Sequence, residues 1–407
     1  MIEYIDGGVT AAKGFSAAGI HAGIRKNRSK RDLALIFCDK RAAAAAVYTT
    51  NLVKGAPLTV TKAHIADGYA RAVLCNSGNA NTCNANGIEI AEKSSELLGK
   101  ALNIDPGDVI VASTGVIGQQ MSLAPFEKGI PMLKEALSYG ADGSVAAAEA
   151  IMTTDTVMKS VAVKTVIGGS EVKVGGIAKG SGMINPNMAT MLVFVTTDAA
   201  ITHEMLQKAV SEDVADSFNM VTVDGDTSTN DMFTVMASGL AGNPVIDNEG
   251  TDFAAFKQAL AAVTVKLCKM LATDGEGASK ALICNVTGAG TKETARIAAK
   301  AVVGSSLVKA AFFGADANWG RVLCALGYSG ADIDVDKVDV SFESAAGNIP
   351  VCENGRGIDF SEDFAKKVLS EREIYINVEL HSGQESASAW GCDLTYDYVK
   401  INGDYRT

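Results

Sequence analysis

GSGMINPNMATMLVFVTTD, residues 180–198, follows directly on Lys179 and changes character half-way along. Residues 180–187 are polar, carry two glycines and are interrupted by Pro186, the composition of a flexible segment. Residues 191–195 are an unbroken apolar run, Met-Leu-Val-Phe-Val, with the length and content of a buried strand. Thr190 therefore stands where a loop becomes a rigid strand. Cutting the peptide bond between Ala189 and Thr190 would turn that threonine into a new amino terminus fixed by the strand. It would carry a hydroxyl nucleophile and, on the same residue, an α-amine of unperturbed pKa about 7.7–8.0. Such an amine suits a base that must both take and return a proton near neutral pH.

Residues 187–190, Asn-Met-Ala-Thr, equally read as an ordinary loop entering a strand, but no rival nucleophile has comparable support. Four histidines are present (His21, His64, His203 and His381), none beside a G-x-S-x-G turn, so a Ser-His-Asp hydrolase has no motif behind it. No Walker sequence occurs and no G-x-G-x-x-G follows a strand, so no nucleotide cofactor is implied. The acidic run 224–231, DGDTSTND, invites a Mg²⁺ reading. As a Ca²⁺ loop it fails, with Thr229 where glycine is needed and Val235 where the closing glutamate should be. A turn dense in Asx caps accounts for it without a metal.

The bulk properties exclude more. A net charge of −11 argues against a nucleic-acid partner, which requires a basic face. The run 25–31, RKNRSKR, reads as a solvated basic loop. No stretch has the make-up of a membrane span, and the first residues, MIEYIDGG, lack the basic and apolar regions of a secretion signal. The eight cysteines are scattered without a C-x-x-C, and Cys75 and Cys83 share an Asn-rich loop with no histidine nearby. They read as thiols in a reducing cytoplasm, with no metal and no disulfide.

Along the chain, strands are expected at 33–38, 42–49, 73–75 and 109–112, and a helix over the residues after the Asn-rich loop 75–87. A further helix is expected at 144–152. Runs 161–167 and 171–174 flank Gly168-Gly169-Ser170, a hairpin signal. Helices are expected at 203–218, 253–272, 293–303 and 362–369. Strand-like runs fall at 220–223, 281–287, 338–342, 374–380 and 394–401. Helices and strands intermix without a βαβ repeat, which argues for an α+β or mixed layered fold over a doubly wound sheet. The clearest boundary is the turn at 276–280. One turn has chemical interest: 113–118, STGVIG, leaves a strand and offers backbone N–H groups at its end. It is equally well an oxyanion cradle or a plain glycine turn.

Several motifs together, in order and over nearly the whole chain, carry a resemblance: GGVTAAKGF, CNSGNANTCN, STGVIGQQM, MTTDT, GGIAKGSGMINPNMATML, DGDTSTND, DANWGR and the terminal KINGDYRT. They resemble the ornithine acetyltransferase family of arginine biosynthesis. Two departures, Ala317 where proline is expected and Gly403 where alanine is usual, touch no catalytic role. The resemblance implies an α+β fold with a layered α/β/β/α sandwich core and a smaller C-terminal α/β domain. Residues 1–280 would form the catalytic domain and 281–407 the smaller one, its tail returning to the active site.

The resemblance further implies self-cleavage between Ala189 and Thr190, giving an α segment, 1–189, and a β segment, 190–407, associated as an α2β2 heterotetramer. Thr190 matches the acetyl-accepting nucleophile, and Thr114 and Gly115 the pair that stabilises the oxyanion. Thr153 (with Thr156 close by in the same motif), Lys179, Glu276, Asn402 and Thr407 match substrate-binding positions, as does Thr190 itself. The implied reaction moves the acetyl group of N2-acetylornithine to glutamate in two half-reactions, releasing ornithine and N-acetylglutamate. Some members also take acetyl-CoA as donor, and no residue of this sequence decides that. No cofactor, metal, nucleic acid or membrane is implied, and the expected location is cytoplasmic.

Overall fold

A computed structural model describes residues 1–185 and 191–404. The chain forms two compact units. The first takes Met1–Gly180, Pro186–Phe218 and Thr227–Leu267, and the second Ser181–Asn185, Asn219–Asp226 and Cys268–Thr407. The turn at 276–280 lies inside the second unit, which also draws in two short segments from far earlier in the chain.

Nine strands build the sheet of the first unit: β1 (Glu3–Ile5), β2 (Phe15–Ile20), β3 (Leu33–Tyr48), β4 (Tyr69–Asn79), β5 (Val109–Val116), β6 (Lys159–Ile167), β7 (Ser170–Lys179), β8 (Leu192–Thr197) and β9 (Met232–Ala237). Their order is β1-β6-β7-β8-β9-β3-β4-β5, with β2 also paired to β3. The pairs β4/β5 and β8/β9 are parallel, and the others are antiparallel. The hairpin between β6 and β7 turns at Gly168 and Gly169, with φ of +55° and +80°, as expected for a tight primed turn.

All residues of β8 and β9 are buried, so the apolar run after Thr190 is an inner strand. The runs at 33–38 and 42–49 prove to be one strand of 16 residues, β3. Its first half pairs with β2 and its second half with β9, while β4 pairs with it from Leu33 to Ala43, the β4 register shifting between Phe37 and Ala42. The exposed Asp39, Lys40 and Arg41 at that irregularity are what break the pattern in sequence.

Helices lie on both faces of β2–β5. Gly87–Leu102 and Ala124–Ala136 cover a core containing Leu35, Leu74, Leu98, Val111, Phe126 and Leu133. Ala141–Ile151 lies in the other core, with Ile36, Ile110, Ile151, Ile177, Phe194 and Met236. The architecture is a mixed α+β sandwich of sheet and helices.

The second unit has six strands: β10 (Ala281–Ala289), β11 (Asp339–Ser344), β12 (Gly347–Glu353), β13 (Arg356–Gly357), β14 (Glu373–Glu379) and β15 (Glu385–Cys392). The order is β13-β12-β11-β14-β10-β15, with only β10/β14 parallel. Beside β15, the Thr222 N–H donates to the Trp390 carbonyl at 2.9 Å, and the Val223 N–H donates to that of Ile184 at 2.6 Å. The early segments are thus laid against this sheet one after the other.

Two expectations are corrected. The run 220–223 is no strand: a short helical turn, Phe218–Met220, precedes a single bridge at Val221, and the Lys300 ammonium takes the Asn219 and Val221 carbonyls. The run 394–401 is part of a helix, Tyr396–Asp404, because Thr395 Oγ1 accepts the Tyr398 N–H at 3.3 Å and caps it. Among the described residues no helix is long and apolar enough to cross a membrane.

Candidate active site

The first unit gathers Thr114, Gly115, Lys179 and Thr153 around two strand ends. β5 leaves the sheet through Ser113-Thr114-Gly115, which run parallel to Asn76-Ser77-Gly78 of β4. A buried amide network fixes that end. Ser113 Oγ donates to Asn76 Oδ1 at 2.6 Å, and Asn230 Nδ2 donates to the Ser113 carbonyl at 3.0 Å and to that of Ala80 at 2.6 Å. Gly115 has φ of +125°, and a Cβ there would meet the Gly78 carbonyl carbon at 2.4 Å and the Asn79 nitrogen at 2.7 Å. Backbone on backbone cannot yield, so glycine is required.

Lys179 ends β7, and its Nζ donates to Thr114 Oγ1 at 3.4 Å. A hydroxyl that accepts from an ammonium keeps its own hydrogen free to donate elsewhere, which an oxyanion donor must do. Lys179 is buried. That burial pulls its pKa down, and the Asp155 and Asp231 carboxyls oppose the pull only in part.

Asp155 is the residue that sequence reading passed over. It lies in the MTTDT motif, is 4% exposed, and makes contacts that organise the whole corner. Its Oδ1 accepts from Lys159 Nζ and the Gly180 N–H, each at 2.7 Å, and its Oδ2 from the Thr153 N–H at 2.9 Å. Burial pushes this carboxyl up. The Lys179 and Lys159 charges, with the hydrogen bonds from Lys159 and Thr153, outweigh that and hold it down at about 2. The signal available in sequence was an acid four residues before a lysine, too common to stand out. Thr153 is half-buried, whereas Thr156 is exposed.

Asp231 behaves oppositely. Burial drives its carboxyl far above the usual range, and its Oδ2 has no hydrogen-bond partner among the described residues.

The second unit joins Glu276 and Asn402. Asn402 Nδ2 donates to Glu276 Oε2 at 2.8 Å, and the Glu276 N–H donates to the Ser181 carbonyl at 2.9 Å. A Cβ on Gly182 would lie 2.3 Å from the Glu276 carboxylate, so the chain passes directly beneath that side chain. Asp224 accepts the Met183 and Ile184 N–H groups at 2.6 and 2.9 Å. The acid run 224–231 thus opens with an anchor for the segment before the expected cut, as an Asx cap does. Downstream, the Met232 N–H holds the Met191 carbonyl at 2.9 Å. Ala189, Thr190 and Thr407 lie outside the described residues.

Comparison with known proteins decides the family. The ArgJ family model matches residues 16–407. The chain is 50% identical over 407 residues to the "Arginine biosynthesis bifunctional protein ArgJ" of Caldanaerobacter subterraneus subsp. tengcongensis, covering 100% of both chains. It is 52% identical over 408 residues to the protein of the same name from Symbiobacterium thermophilum, again over 100% of each. The chain belongs to the ArgJ family. It is an enzyme of arginine biosynthesis and a transferase. The crystal structure of the ArgJ protein of Bacillus halodurans is 48% identical, with a TM-score of 0.50. The match covers 52% of this chain and 98% of that one.

With the family in hand, Gly115 gives a direct test. If the Gly115 N–H is an oxyanion donor, Gly115→Ala is expected to lower kcat by about 10²–10³-fold, the loss seen when one such donor is displaced. Single-turnover release of the first product measures it.

Proposed function

We propose that this ArgJ chain cuts itself between Ala189 and Thr190 and then moves the acetyl group of N2-acetylornithine to glutamate through an acetyl-Thr190 intermediate. The observation that carries the reading is the Lys179–Thr114 hydrogen bond beside the forced glycine at 115. It joins a buried ammonium for a substrate carboxylate to a hydroxyl poised to donate. The half-length match to the Bacillus halodurans chain supports the cut, since a cleaved relative gives chains of about half this length.

The chemistry balances. In cleavage, Thr190 Oγ attacks the Ala189 carbonyl and the C–N bond breaks. The hydroxyl proton passes to the departing nitrogen, and water hydrolyses the ester. In transfer, the freed α-amine takes the Oγ proton as Oγ attacks the acetyl carbonyl, then gives it to the leaving N2 of ornithine. The neutral α-amine of glutamate attacks the acetyl-enzyme, and Oγ regains its proton.

Thr114 Oγ1 and the Gly115 N–H stabilise the oxyanion in each step. Lys179 pairs with the α-carboxylate common to both substrates, with Thr153 beside it in role. Glu276, oriented by Asn402, takes the ornithine side-chain ammonium. Thr407 belongs to the tail that helps exclude water from the acyl-enzyme. Residues 1–280 serve as the catalytic domain and 281–407 as its smaller companion, and the two segments assemble as α2β2. Buried thiols such as Cys38 and Cys284 suit a cytoplasmic enzyme.

Intact-mass analysis of the purified protein tests the reading. Two fragments dividing before Thr190, with an acetyl adduct on the second after exposure to N2-acetylornithine, are expected. A whole chain with full activity would sink the mechanism. Turnover without glutamate would instead make the protein an amidase. Deleting 403–407 is expected to raise the fraction of acetyl groups lost to water and to lower transfer at least tenfold. An unchanged ratio of acetate to N-acetylglutamate removes the tail from the mechanism.

A further inference from the structure

Glu276 rests on a platform made from a segment far from it in sequence. Ser181–Asn185 belong to the same unit as Glu276. The Ser181 hydroxyl donates to the Asp274 carbonyl at 2.7 Å, and the Ser181 carbonyl accepts the Glu276 N–H at 2.9 Å. Gly182 follows, directly beneath the side chain. A Cβ there would meet Oε2, Cδ and Oε1 of Glu276 at 2.3, 2.4 and 2.5 Å. The whole carboxylate thus lies against the Gly182 backbone, and glycine is what leaves it room. From the other side Asn402 Nδ2 donates to Oε2 at 2.8 Å and to the Tyr398 carbonyl at 3.1 Å.

Asp224 holds this platform. Its Oδ2 accepts the Met183 N–H at 2.6 Å, and its Oδ1 that of Ile184 at 2.9 Å. Oδ1 also takes the Asp226 N–H at 3.2 Å, and Oδ2 the Tyr398 hydroxyl at 3.3 Å. With four donors on its two oxygens, this carboxylate is committed to the protein and does not serve as a second acid for a substrate. Its neighbours add to the hold. The Val223 N–H donates to the Ile184 carbonyl at 2.6 Å, Asn185 Nδ2 donates to the Gly225 carbonyl at 3.1 Å, and Ile184 is 1% exposed. Behind them, the Thr222 N–H donates to the Trp390 carbonyl at 2.9 Å and Lys300 Nζ to that of Val221 at 2.8 Å.

These bonds matter most in a cut chain. With the break after Ala189, the platform lies close to the end of the first segment, whereas Asp224, Glu276 and Asn402 belong to the second. The hold of Gly182 on the carboxylate then rests on the hydrogen bonds just named and on the burial of Ile184.

We propose that Asp224 and Gly182 are positioning residues that set donor specificity, holding the Glu276 carboxylate where it selects a donor whose side chain ends in an ammonium. The proposal rests on the assignment of the ornithine side-chain ammonium to Glu276 made above. A carboxylate already fixed in place meets that ammonium without losing side-chain freedom at the moment of binding. One left free to swing has that freedom to lose, and the loss falls on the charged donor alone.

The test compares N2-acetylornithine with N2-acetylnorvaline, which has the same carbon chain without the terminal amine, both with glutamate as acceptor. The quantity read is the ratio of kcat/KM for the two donors on one preparation, in which the fraction of cut and folded enzyme cancels. Wild type is expected to prefer acetylornithine by about 10- to 100-fold, the strength of one charged hydrogen bond. Glu276→Gln should lose most of that preference. Gly182→Ala displaces only the end of a flexible side chain, and Asp224→Asn sets an amide against N–H groups that need an acceptor. Each is expected to lower the preference roughly three- to tenfold, the cost of immobilising one side chain on binding. General damage slows both donors alike and leaves the ratio unchanged. A ratio unchanged in either variant, while Glu276→Gln still abolishes the preference, overturns the proposal and leaves Glu276 in its role. A wild type without the preference, or a Glu276→Gln enzyme that keeps it, removes Glu276 from ammonium recognition and overturns the proposal with it. A wild type that turns over neither donor overturns the acetyl-transfer reading as well.

Discussion

Thr190→Ala is expected to yield a single uncut chain of 42.1 kDa with no measurable acetyl transfer. In the proposed mechanism one hydroxyl serves three reactions: the cut, acetylation by the donor and deacetylation by glutamate. Removing a nucleophile leaves only what binding and the oxyanion donors supply, a loss on the order of 10⁶-fold in kcat. The variant keeps Thr114, Gly115 and Lys179, so it should still bind N2-acetylornithine with the affinity of the uncut precursor. Calorimetry separates that from global damage. Thr190→Ser keeps the hydroxyl and should both cut and turn over, more slowly where the lost methyl helped to fix the rotamer. Cleavage of the alanine variant at the same bond would show that another group makes the cut.

What the sequence disclosed, and what it hid, follows from how local each feature is. The hairpin at Gly168-Gly169 and the helix Glu362–Leu369 were legible because turn chemistry and a 3.6-residue period are written in adjacent residues. The helix at Tyr396–Asp404 was misread because its apolar residues mimic an alternating strand while one cap, Thr395, settles it. The segment Ser181–Asn185 looked like part of a free loop. It is held by Asp224, more than forty positions from Gly182, and by the backbone of Glu276, over ninety away. No local pattern records such bonds. The site candidates Thr114, Gly115 and Lys179 were assigned roles through motif resemblance. Why Gly115 must be glycine emerged only from the approach of Gly78. Asp155 was invisible because an acid in a polar turn is common, whereas one buried among Lys159, Lys179, Gly180 and Thr153 is not.

That burial sets the second large prediction. Asp155→Asn removes the carboxylate that pairs with the fully buried Lys159 ammonium at 2.7 Å. Breaking a buried pair from one side costs about 3–5 kcal/mol, which lowers Tm by roughly 10 °C in a unit of this size. The sign with pH follows from the depressed carboxyl. Unfolded, Asp155 titrates near 3.9; folded, it is held at about 2. Its contribution is therefore complete above about pH 4 and lost as pH falls toward 2, a dependence the asparagine variant should lack.

Stability alone would not make Asp155 a positioning residue for the reaction, so the decisive variant removes both charges. Asp155→Asn/Lys159→Met removes both members of the buried pair and should recover most of the lost Tm. It still lacks the carboxylate that opposes the effect of burial on Lys179. Of the other groups around that ammonium, Asp231 still favours its charge, and the loss of Lys159, a like charge, offsets only part of the effect of losing Asp155. A buried lysine loses its charge as pH rises through its folded pKa, and without Asp155 that loss moves to lower pH. KM for both carboxylate substrates should climb with rising pH, and at lower pH in the double variant than in wild type, while kcat at saturation stays within a few-fold of wild type. A purely structural Asp155 predicts the opposite pattern: full rescue of KM at every pH once Tm is restored.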